Sequence, residues 1–92
     1  MTKTKINDAV INLVCENKPN VLGSAAIYRL LEIELYRRKI YAVTVSFLGE
    51  NREVFIGESE SVAERFYRLM YENAVTPTTF LDVFKDFSSE IQ

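Results

Sequence analysis

Between Ile27 and Ile56 the chain alternates apolar and polar residues with a period of two, and this alternation constrains the fold more than any other feature. Tyr41, Val43, Val45 and Phe47 alternate with Ala42, Thr44 and Ser46, while Leu31, Ile33 and Leu35 alternate with Glu32 and Glu34. Successive side chains on a strand point to opposite faces, so each run presents one apolar face that must be covered. A basic turn at Arg37, Arg38 and Lys39 separates the two runs. A second turn at Gly49-Glu50-Asn51 leads into Glu53–Ile56, with Gly49 and Asn51 suited to positive φ. The expectation is a three-stranded antiparallel sheet over residues 27–56. Residues 24–38 also fit a helix, because Ile27, Leu31 and Leu35 recur at i, i+4 and i+8. The strand is preferred because the alternation is strict and because Ile40–Leu48 needs a neighbour.

The flanks read differently. Ile6, Val10, Leu13 and Val14 recur at helical spacing, which predicts a helix over residues 5–16 with Thr4 as its cap and Pro19 ending it. The competing reading is a strand through Val10–Val14. Ser61 and Glu64 have capping-box spacing, predicting a helix over residues 62–73 with Val62, Phe66, Leu69 and Met70 inside. Thr76-Pro77 predicts a further start, and Phe80, Phe84, Phe87 and Ile91 give the inner stripe of a helix over 77–91, widened by Leu81. The predicted architecture is α+β: an N-terminal helix, a three-stranded antiparallel sheet, and two C-terminal helices packed on one sheet face.

The 92 residues suit one domain with one core, and 48% hydrophobic against 26% charged residues is an ordinary globular balance. No apolar run approaches the length of a membrane span, and the start of the chain does not read as a signal peptide, so a cytoplasmic location and no membrane partner are expected. Cys15 is the one cysteine and histidine is absent, which rules out an internal disulfide and argues against a zinc site. Without histidine there is no His-dependent triad. Gly57-Glu58-Ser59-Glu60-Ser61 reads as a turn and cap rather than a nucleophile elbow, so neither catalysis nor a cofactor is expected.

The residues Tyr28-Arg29-Leu30-Leu31-Glu32, Tyr41-Ala42-Val43-Thr44-Val45, Asn73-Ala74-Val75-Thr76-Pro77 and Leu81-Asp82-Val83-Phe84-Lys85-Asp86-Phe87 carry a resemblance. Over Tyr28–Phe87 the chain resembles a family of short uncharacterised bacterial proteins, most of them known only as a domain of unknown function. That resemblance implies a fold and supplies no catalytic or binding position. In architecture alone the chain also resembles small phage anti-CRISPR proteins with an acidic surface.

Charge is unevenly spread. Residues 1–48 hold seven Lys and Arg against four Asp and Glu, a balance of +3, whereas residues 49–92 hold four against nine, a balance of −5. Two candidate contact surfaces follow: the basic turn Arg37, Arg38 and Lys39, set between Tyr36 and Tyr41, and the acidic face Asp82, Asp86 and Glu90 at helical spacing. The expected function is a small non-catalytic protein-interaction or regulatory module with a protein partner. The first alternative is a phage-type inhibitor that sets its acidic helix face against a nucleic-acid-binding enzyme. The second is a weak nucleic-acid binder using the basic turn, disfavoured by the acidic net charge of −2. An open strand edge would also allow a homodimer.

Overall fold

The computed structural model describes residues 3–6 and 9–90, with side chains from 9 to 89. Strands β1 (Lys3–Ile6), β2 (Ala9–Asn17), β3 (Asn20–Val21), β4 (Ser24–Leu35), β5 (Arg38–Phe47) and β6 (Glu50–Gly57) precede helices α1 (Glu60–Glu72) and α2 (Pro77–Glu90). The main sheet is five-stranded and antiparallel in the order β1-β2-β4-β5-β6, and the two-residue β3 pairs with the start of β4. The fold is α+β with both helices after the sheet.

The expected N-terminal helix is a correction. Residues 9–17 form β2, paired with β1 on one side and β4 on the other, and Thr4 lies in β1 rather than capping a helix. Asn7, Asp8 and Ile91, which fell within predicted helices, lie outside the described residues. The tertiary reason is β4: a twelve-residue strand with β5 on one side exposes a full ladder of backbone donors and acceptors on the other, and β2 satisfies them. Val10, Ile11 and Val14 favour that extended state. The sheet is therefore larger than the three strands expected, and β4 is central rather than an edge.

A second correction concerns the turns. The β4–β5 hairpin closes at Tyr36-Arg37, with Leu35 opposite Arg38, so Arg38 and Lys39 belong to β5. Tyr36 and Arg37 have φ of 52° and 67°, and the Leu22-Gly23 and Leu48-Gly49 turns repeat this doubly positive pattern. Such two-residue turns match the right-handed twist of the flanking strands. The shorter turn decides which face each run occupies. A three-residue turn at 37–39 would set Leu31 opposite Val45, with all the apolar residues on one face. The observed register sets Leu31 opposite Ala42 and Leu30 opposite Val43, so Leu31, Ile33 and Leu35 point away from Tyr41, Val43, Val45 and Phe47.

The helices cover the second of these faces. Tyr28, Leu30, Val43, Val45 and Val54 pack there against Ala63, Phe66, Tyr67 and Met70 of α1 and Phe80 and Phe87 of α2. The Phe66 ring meets Phe80, Phe84 and Phe87 at centroid distances of 5.8, 5.4 and 5.1 Å, which locks the two helices together. Leu81, expected to widen the apolar face, is exposed instead. Helix α1 starts two residues earlier than predicted: Ser59, not Ser61, is the cap, its hydroxyl accepting from the Val62 amide at 3.3 Å. Its far end closes with Ala74 at φ 51°, the Val75 amide donating to the Met70 carbonyl and the Ala74 amide to Tyr71.

Two tyrosines fasten this layer. The Tyr28 hydroxyl donates to the Val75 carbonyl at 2.9 Å, tying the central strand to the link between the helices. The Tyr67 hydroxyl donates to the Tyr28 carbonyl and accepts from Asn17 Nδ2 at 2.7 Å, which brings β2 into the same network. Burial raises both phenol pKa values, because the phenolate would lose its hydration.

Candidate interaction surface

Among the described residues the opposite sheet face carries no helix. Residues directly opposite across antiparallel strands share a face, so the register defines its rows. One row runs Leu13–Leu31–Ala42–Phe55 across β2, β4, β5 and β6. The next runs Ile11–Ile33–Ile40. On the other side of the first row lies Glu16–Arg29–Thr44–Glu53. Leu13 is 47% exposed and Phe55 61% exposed, while Ile11, Leu31, Ile33 and Ile40 are half-buried and Ala42 fully buried by their neighbours on the same face. Contiguous apolar residues across four strands are rare on a surface that meets only water.

A polar margin borders the apolar rows. Arg29 Nε donates to Glu16 Oε2 at 2.5 Å, and Lys18 lies 3.5 Å from the same carboxylate. The Arg29 hydrogen bond holds the Glu16 carboxyl below its usual range. A shallow depression of about 480 Å³ lies elsewhere, between α1 and α2, whereas one of about 470 Å³ opens on this face beside Leu31, lined by Arg29, Thr44, Ser46, Asn51 and Glu53. Ser46 hydrogen-bonds Asn51 at its rim.

The residues singled out from the sequence lie elsewhere, with one exception. Arg37 sits at the β4–β5 tip and is exposed with Arg38 and Lys39. Lys39 points to the helix-bearing side and approaches Glu32 at 3.9 Å, where Glu32 also accepts from Tyr41 and Asn12. Arg38, in register with Leu35, belongs to the open face, so the basic turn is divided between two faces. Asp82 and Asp86 are exposed on α2, and the Glu90 side chain lies outside the described residues. Among the described residues no ion pair joins the acidic helix face to the basic turn.

Cys15 is exposed on β2, and no group of three or more potential metal ligands occurs among the described residues. Nor is any described helix long and apolar enough to cross a membrane. Sequence reasoning missed Leu13, Ile11 and Phe55 as surface residues. Leu13 was placed in the helical stripe of the expected N-terminal helix, and the alternation of Leu31, Ile33 and Leu35 beside it was assigned to the core face.

No curated protein and no solved structure matches the chain. A family model matches residues 8–90, a span that takes in β2 and β3 as well as the Tyr28–Phe87 stretch that carries the resemblance seen in the sequence. The chain belongs to that family, described as a family of unknown function, DUF6514.

Proposed function

We propose that this chain is a small, non-catalytic protein-interaction module whose working surface is the open face of its sheet. The observation that carries the reading is the Leu13–Leu31–Ala42–Phe55 row, apolar on a face that no described element covers. Its flatness and breadth suit a macromolecular partner better than a small ligand, which a deep concave pocket would hold. A cytoplasmic setting belongs to the same reading, since an exposed lone thiol such as Cys15 persists in a reducing compartment.

A second reading uses α2, where Asp82 and Asp86 are exposed and make no ion pair among the described residues. There the module would act as an inhibitor that meets the basic surface of a nucleic-acid-binding enzyme. Affinity capture separates the two. A partner held by wild type and by Asp82→Lys/Asp86→Lys, but lost with Leu13→Lys/Phe55→Lys, supports the sheet face. The reverse pattern overturns it in favour of the acidic helix.

A further inference from the structure

We infer that the open sheet face is covered by the same face of a second copy of this chain, giving a homodimer layered helix, sheet, sheet, helix. The inference rests on the proposed role of that face and names its occupant. Three observations support it.

The first is the state of the edges. Among the described residues β6 pairs on one side only, yet it carries Glu50, Arg52 and Glu53, and a register shift opposite Tyr41 and Ala42 irregularises its far end. β1, the other edge, carries Lys3 and Lys5. Charges and bulges of this kind discourage edge-to-edge pairing, which leaves the face as the route to assembly.

The second is size. The molecule is a plate with extents of 39 × 32 × 18 Å. Its broad face is on the order of 1,000 Å², above the roughly 800 Å² per partner of a standard stable interface.

The third is charge complementarity. Two free charges stand on this face at opposite ends of the apolar rows: Arg38 beside Leu35, and Glu53 beside Thr44. Neither makes an ion pair among the described residues. A two-fold axis crossing the strands at the level of Tyr41 lays the Leu13–Leu31–Ala42 row on the Ile11–Ile33–Ile40 row of the second copy. The same axis places Arg38 of each copy over Thr44 of the other, between Glu53 and Arg29, whose charge Glu16 already pairs. The alternative two-fold, running along the strands, sets Glu16 against Glu53 and leaves Arg38 over Leu35. Like charges disfavour it. Packed sheets align within about 30° at a spacing near 10 Å, which accommodates the first arrangement.

Sedimentation equilibrium of the full chain over a wide concentration range tests the proposal. Wild type should dimerise and Phe55→Lys should be monomeric. Arg38→Glu and Glu53→Arg should each weaken the dimer about tenfold, because each replaces two symmetric attractions with repulsions. Mixing these two variants should restore the dimer as a heterodimer, since each copy then supplies the charge that the other needs. A dimer indifferent to Phe55→Lys, or a mixture with no restoration, overturns the arrangement. A monomeric wild type overturns self-pairing. If that monomer still captures a protein through Leu13 and Phe55, the interaction role stands with a foreign occupant. If it captures none through them, both readings fail.

Discussion

Leu13 on β2 and Phe55 on β6 stand at the two ends of one side-chain row, joined through Leu31 and Ala42 across four strands of the face that no described helix covers. Both are exposed, so neither contributes much burial to the isolated fold. Replacing either by lysine should change monomer stability by less than about 0.5 kcal/mol while abolishing association through the face. Urea unfolding at low protein concentration checks the first half. A loss of several kcal/mol there would mean that these side chains serve the core.

Tyr28 is fully buried, and its hydroxyl is the hydrogen-bond donor to the Val75 carbonyl. Tyr28→Phe keeps the ring and removes that donor, leaving a buried carbonyl unsatisfied. The expected loss is about 1–3 kcal/mol in chemical denaturation. No loss would mean that water reaches Val75.

Ala74 ends α1 at φ 51°, where a Cβ costs energy. Ala74→Gly should stabilise the protein by about 0.5–1 kcal/mol, because strain relief exceeds the added chain entropy of glycine. An unchanged or lowered melting temperature would contradict the strained cap.

Burial holds the Tyr28 and Tyr67 phenols above their ordinary pKa. A raised folded-state value means that the neutral form stabilises the fold. That contribution is complete below the unfolded pKa, about 10, and is lost as pH rises through the folded values. Phenolate absorbance assigned to these two residues by Tyr28→Phe and Tyr67→Phe should appear above pH about 10, together with loss of helical circular dichroism. Titration of both at their ordinary value with the fold intact would contradict their burial.

Local sequence patterns made β5, β6 and both helices legible, and β4 through the strict alternation of Leu31–Leu35, which outweighed the helical spacing of Ile27, Leu31 and Leu35. β2 was not, for a physical reason. Ile6, Val10, Leu13 and Val14 fit a helical period, and the register shift between Leu13 and Cys15 breaks the strand alternation by one residue at Val14. Only the need of β4 for a second neighbour decides between strand and helix, and that need is tertiary. The candidate surface was hidden by a single residue of turn length. Closing the hairpin at Tyr36-Arg37 rather than over 37–39 turns Leu31, Ile33 and Leu35 from core residues into the uncovered face. Neither Tyr36 nor Arg37 is the glycine or asparagine that normally marks such a turn. The charged surfaces were legible as exposed, but the division of Arg38 from Lys39 between faces depends on the same turn.

The most direct test of the open face as the working surface is photo-crosslinking in cells that make the protein. Benzoylphenylalanine is placed at Phe55 in one chain and at Asp82 in another. A crosslinked product from position 55 and none from position 82 is the predicted result. Crosslinking from position 82 alone would contradict the account and move the working surface to the acidic helix.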